Sequence, residues 1–178
     1  MTSIERKIQQ TENSPLSDTE IKLITEGKCN IITYEQLHNV NNIDEILQPW
    51  GAVIILYQLE SDFGHWCALK TTSKNRLDFF GSYGLKLDEQ LKFSKYNLRL
   101  HKGEVVPHLT HLINQSKYKV SSNEFQLQMF KEHTNTCGRY ASLFIRFRNL
   151  SNKEFVDLFT KNKEYSPDFW ITAITYLF

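Results

Sequence analysis

No stretch of the sequence is apolar for long enough to cross a bilayer: the longest run, Ala52-Val-Ile-Ile-Leu-Tyr57, falls far short of the span a membrane helix needs. The amino terminus also lacks the apolar core of a signal peptide, so a soluble chain in a reducing compartment is expected. Charge of one sign is missing as well. Lys and Arg number 21 against 20 Asp and Glu, a net charge of +1, without the basic excess that phosphate binding usually produces. Cysteine is scarce: Cys29, Cys67 and Cys137 make an odd set at irregular spacing, which suits neither a disulfide framework nor a CxxC zinc knot. His108 and His111 lie three apart but have no nearby Cys partner and read as structural or surface residues. Internal repeats and low-complexity tracts are absent too.

What is present is a core. Hydrophobic residues make up 40% of the chain and aromatics 13%, enough for one folded domain over 1–178, with flexibility expected only in about the first fifteen residues. Ser17-Asp-Thr-Glu20 reads as a capping box opening a helix that carries Ile21 and Ile24 and ends at Gly27. Short helices are expected from Thr33 through Leu37 and from Asn41 or Asn42 to Leu47. After Pro49-Trp-Gly51 the pattern turns to strands: 52–58, then 65–70, a turn at 71–75, and 76–80, the last two an antiparallel pair. Leu98, Leu100 and the segment around Val105 suggest short irregular elements, Pro107 to Ile113 a helical turn or two, and Tyr118-Lys-Val120 a fourth strand. Tyr140, Leu143, Phe144 and Phe147 then fall at i, i+3, i+4 and i+7, the stripe of a buried helix. Ser151-Asn-Lys-Glu154 and Ser166-Pro-Asp168 start two more. The layout is α+β.

The chemistry centres on Cys137, within His133-Thr-Asn-Thr-Cys-Gly-Arg139. A thiol in the first turn of a helix meets unpaired backbone N–H groups that favour its thiolate and can also face an oxyanion. Gly138 leaves room for a substrate backbone. His65 begins a strand, with Trp66 on the opposite face, and is a residue suited to take the thiol proton and return it to a leaving amine. Asp78, amid Leu77-Asp-Phe-Phe80 on the next strand, is a candidate to accept the imidazole N–H. Gln126 and Gln128 are both placed to donate to an oxyanion.

Gly64-His-Trp66, Leu77-Asp-Phe-Phe-Gly-Ser-Tyr-Gly84, a following glutamine and Asn135-Thr-Cys-Gly138, in this order, resemble the adenovirus-maturation-protease and Ulp1-like superfamily of cysteine peptidases, above all its virophage, Polinton-like and large DNA virus members. The similarity covers roughly Gly51 to Phe147. It implies a papain-related fold, a mixed or antiparallel central sheet flanked by helices with the cysteine at the start of a central helix. It also implies catalytic residues His65, Asp78, Gln128 and Cys137, with Gln126 the alternative donor. Trp66 would line a narrow cleft for glycine, so cleavage is expected after Gly-Gly or Gly-X-Gly sites in viral capsid, scaffold or core precursors, by a monomer without cofactor, metal or membrane, in the virion and infected cell. An activating peptide or DNA stays open. The glutamine lies nine residues before Cys137, farther than in cellular or adenoviral members. Two other readings are a peptidase for ubiquitin-like modifiers and a non-enzymatic capsid-associated module.

Overall fold

The computed structural model describes residues 1–60, 63–93, 106–161 and 163–178. The elements proposed around Leu98, Leu100 and Val105 fall outside these. The helices are α1 (Ser3–Thr11), α2 (Asp18–Ile24), α3 (Asp44–Leu47), α4 (His108–Asn114), α5 (Cys137–Arg146), α6 (Asn152–Thr160) and α7 (Pro167–Thr175). The strands are β1 (Asn30–Thr33), β2 (Ala52–Glu60), β3 (Phe63–Ser73), β4 (Arg76–Gly81) and β5 (Lys119–Ser122). They form one sheet in the order β1-β2-β3-β4-β5, parallel at both edges and antiparallel in the middle. The fold is thus α+β, a mixed sheet flanked by helices.

Both faces of the sheet are covered, which is why β2 reads as an unbroken apolar run. Ala52 and Ile54 of β2 and Trp66 and Ala68 of β3 meet Tyr140 and Phe144 of α5 on one face. Val53, Ile55, Tyr57, Cys67 and Leu69 pack on the other against Tyr34, Leu37 and the short helices. His65, two residues before Cys67, shares that second face. Helix α5 is buried all round from Cys137 to Ile145, more than its stripe alone required. The segment Tyr34–Asn39, expected as a short helix, is a 3₁₀ turn. The first residues, expected to be flexible, instead form α1, opened by a Thr2–Glu5 capping box and tied by Tyr165 Oη to Glu5 at 2.7 Å.

The structure corrects the role given to Asp78. In the β3–β4 register Asp78 stands opposite Lys70, not His65. Lys70 is five residues beyond His65 on β3, roughly 16 Å along the strand, and the odd offset puts it on the opposite face. Asp78 accepts a backbone N–H from Asn152 at the start of α6. Lys70, 1% exposed, donates from Nζ to the carbonyls of Phe144 (3.3 Å), Phe147 (3.3 Å) and Leu150 (2.7 Å) at the end of α5. The pair therefore fastens the α5–α6 corner to the sheet, anionic at one helix start and cationic at the other's end. Lys70→Met should lower unfolding free energy in urea by about 3 kcal/mol, because it leaves those carbonyls unsatisfied and removes the positive charge nearest Asp78.

Candidate active site

Cys137 opens α5 and is 7% exposed. Backbone hydrogen bonds at Trp66, Gly138 and Cys137 itself reach its sulfur. The β3–β4 ladder begins only at the pair Cys67 and Gly81, so Trp66 has no partner on β4, and its backbone N–H is directed at the Cys137 sulfur at the start of α5. The sulfur therefore lies at the margin of the sheet, against the main chain of the residue that follows His65. This explains how a helix on the Trp66 face brings a thiol next to a strand whose histidine points the other way. Burial pushes the Cys137 thiol up, against the backbone N–H groups, which favour the thiolate.

His65 is 2% exposed. Its ring stacks on Tyr83 (centroids 4.5 Å apart, planes at 18°), and Tyr83 stacks in turn on Phe130 (4.1 Å, 9°). Its Nε2 is buried with no hydrogen-bond partner among the described residues. Burial alone lowers the imidazole to about 3, so at neutral pH the free chain holds a neutral imidazole and a protonated Cys137 thiol.

Of the two glutamines, only Gln128 is brought to the cysteine loop. It is 1% exposed, its Oε1 accepts from Ser82 Oγ at 2.7 Å, and its Nε2 donates to Thr134 O at 2.9 Å. One N–H of that amide is left over for another acceptor. Gln126 is exposed and donates to the Gln128 carbonyl at 2.9 Å. Trp66 is 8% exposed, and a Cβ on Gly138 would come within 3.1 Å of its Cδ1 and 3.2 Å of Leu16 Cβ. In the free chain, then, the bare backbone of Gly138 accommodates Trp66 and Leu16, and the space expected for substrate is filled.

Sequence reasoning missed Asp168, taken only as part of a helix start. Its carboxylate, 2% exposed, accepts from Thr136 Oγ1 at 2.5 Å and from Met129 N at 2.9 Å, clamping both ends of the loop that delivers Cys137. It also missed the strap formed by residues 11–16. Glu12 O accepts from Asn135 N at 2.9 Å, and Asn13 O from Asn135 Nδ2 at 2.8 Å. No short-range pattern links these partners, which lie more than a hundred residues apart. His108 Nε2 lies 3.1 Å from His38 Nδ1, well away from Cys137 in the fold, on the side of the short helices. A cleft of about 650 Å³ lined by Asp78, Ser121, Asn152 and Asp157 lies at the other end of β4.

No family profile matches the chain. Among solved structures it is similar to the ASFV pS273R protease, with a TM-score of 0.50 and 14% identity over 95% of this chain and 69% of that one. The likeness is one of fold: an α+β protein resembling a viral protease. The central domain of the uncharacterized Lpg1148 protein from Legionella pneumophila aligns at a TM-score of 0.41 and 12% identity over 92% of this chain and 97% of that one. In sequence, the uncharacterized protein V9 of Sputnik virophage is 31% identical over 173 residues, 96% of this chain and 99% of that protein. That identity, carried through nearly the whole of both chains, makes this chain a member of the Sputnik virophage V9 family.

Proposed function

We propose that the chain is a cysteine endopeptidase that cuts viral structural or core precursors after glycine during virion maturation. One observation carries this reading: the Cys137 sulfur sits at the start of a buried helix, among backbone N–H groups that include that of Trp66, the residue after His65. His65 takes the thiol proton as sulfur attacks the carbonyl carbon of the scissile bond. The oxyanion is met by the Cys137 N–H and the spare N–H of Gln128. Collapse expels the amine, protonated by the imidazolium, and water with His65 as base then releases the acid from the thioester. Trp66 narrows the approach so that a residue without a side chain fits at the scissile position.

Admission of a peptide requires the Tyr83–Phe130 pair to part, since the two rings lie over His65. Phe130, 55% exposed on the segment between Gln128 and Cys137, is the outer ring of the stack. The reading is tested by incubating the protein with Gly-Gly and Gly-X-Gly peptides from virus precursors and with a ubiquitin-like fusion. Cleavage after glycine in the precursor peptides supports it. Cleavage confined to the fusion, or none of either, overturns it. Gln128→Ala should reduce kcat by about 10²- to 10³-fold with little change in KM, the loss expected for one oxyanion donor.

A further inference from the structure

With Asp78 on the other face of the sheet, the group that orients His65 has to come from elsewhere. Asp168 is occupied, one carboxylate oxygen by Thr136 and the other by Met129. The face onto which His65 points holds a different polar group. Gln90, in the 3₁₀ turn Leu87–Phe93, is 1% exposed, and its Nε2 donates to Leu85 O at 2.8 Å. That bond fixes which end of the amide is nitrogen and leaves Oε1, an acceptor, buried without a partner among the described residues. A Cβ built on Gly81 would lie 2.6 Å from Gln90 Nε2 and 3.3 Å from Cys67 Sγ. The amide therefore rests on the bare backbone of Gly81, next to Cys67, and Cys67 is two residues from His65 on the same face of β3. So a buried imidazole nitrogen and a buried carboxamide oxygen, both lacking partners, lie on one face at the end of the β3–β4 ladder.

We propose that Gln90 is the positioning residue of the site, its Oε1 accepting the Nε2–H of His65 across the space that Gly81 leaves open. The inference rests on the peptidase reading above. The two atoms are complementary in the tautomer catalysis needs: Nδ1 with a lone pair for the thiol proton, and Nε2 carrying a hydrogen in want of an acceptor. No hydrogen bond joins the two atoms in the free chain, where the amide oxygen biases the ring's tautomer only through its dipole; the bond itself closes when substrate is bound, as catalytic hydrogen bonds commonly tighten. During attack the S–H bond of Cys137 breaks and a C–S bond forms. The proton goes to Nδ1, and Nε2–H remains donated to Gln90 throughout. A neutral amide orients the ring without holding it charged beforehand, in keeping with the neutral imidazole of the resting site. Glycine at 81 is part of the device, because any side chain there would displace the amide.

The test uses the full chain, ¹⁵N-labelled, with His65 tautomer and titration read by two-bond ¹H–¹⁵N correlation and peptide cleavage read in parallel. In the wild type His65 should be the Nε2–H tautomer. Gln90→Leu should shift that tautomer balance and lower kcat on the order of 100-fold with KM within about twofold. Gln90→Glu, nearly identical in shape, should raise the His65 pKa and move the acid limb of the kcat/KM profile to higher pH. Gly81→Asp placed in a Gln90→Ala background should recover at least about tenfold of the lost kcat, a rescue that packing alone cannot give. The proposal is overturned if Gln90→Leu leaves tautomer and kcat unchanged, or if Gly81→Asp rescues nothing. It is also overturned if the tautomer answers instead to Tyr57→Phe, Tyr57 being the residue paired with His65 on β2, whose buried hydroxyl is likewise unpartnered among the described residues. The tautomer readout needs no turnover, so a chain that cuts no peptide would sink the peptidase reading while still deciding whether Gln90 orients His65.

Discussion

Cys137→Ala should abolish cleavage of a glycine-containing precursor peptide, lowering kcat/KM by at least about 10⁴-fold, while the protein melts within a few degrees of the wild type. The two halves of this result have separate physical causes. Alanine fits the space of a small buried thiol and favours a helix, so the fold loses little. The reaction loses its nucleophile, and no neighbour can replace it. Cys67, though only two residues from His65, is fully enclosed in the opposite core, where burial pushes its thiol well up. Cys29 is buried beside Thr25, to whose hydroxyl it donates at 3.5 Å. Cys67→Ala and Cys29→Ala should therefore keep their activity to within a few-fold. A Cys137→Ala protein that still cuts, or a Cys67→Ala protein that does not, would place the nucleophile elsewhere.

Acid should destabilise the protein through His65. Its imidazole titrates near 3 in the folded chain, where burial disfavours the charged form, and near 6.5 when unfolded. Between those values the unfolded chain binds a proton that the folded chain refuses, so stability is present above about pH 6.5 and is lost as pH falls toward 3. The difference corresponds to about 4 to 5 kcal/mol by linkage, a sizeable share of the stability of a domain this large. Asp168, Asp78 and Glu12 work in the opposite sense, since burial raises their carboxyls and they gain their protons more readily in the folded state. The contribution of His65 is thus isolated by difference. Urea midpoints measured from pH 7 to 3.5 should fall more steeply for the wild type than for His65→Phe, whose ring keeps the stack on Tyr83. Parallel curves for the two proteins would mean that the imidazole is not held neutral by burial.

Much of the fold could be read from local pattern because local physics decides it. The capping boxes at Ser17 and Ser151 open α2 and α6 as expected, the apolar run 52–58 is a strand covered on both faces, and the aromatic stripe after Cys137 is the central helix. What escaped was set by distant partners. β1 is four residues long without alternation and exists because it lies parallel to β2. The first helix reads as a polar tail until Tyr165 and Arg139 are folded against it: Arg139 Nη2 lies 3.5 Å from the carbonyls of Thr11 and Ser14. At the site, residue type and setting single out Cys137, His65 and Gln128, and the fold puts Cys137 at the start of α5, buries the His65 ring and ties Gln128 to the loop before Cys137. The partner proposed here for His65 could not be read that way. Asp78 looked right because it was a carboxylate in an aromatic strand, but strand register, not composition, decides which residues meet across a sheet. That carboxylate stands opposite Lys70, five residues along from the histidine, and accepts the Asn152 N–H instead. Gln90 carries no such mark in the sequence, and only the contact across Gly81 singles it out.

A nucleophilic Cys137 served by His65 is the centre of the proposed mechanism. A peptidyl-glycine vinyl sulfone, incubated with the wild type and with His65→Ala and mapped by mass spectrometry, reads this without knowledge of the natural substrate. The predicted result is one adduct, on Cys137, formed at least about 10²-fold more slowly in His65→Ala. An adduct on Cys29 or Cys67, no adduct at all, or equal rates of Cys137 modification in both proteins would contradict it.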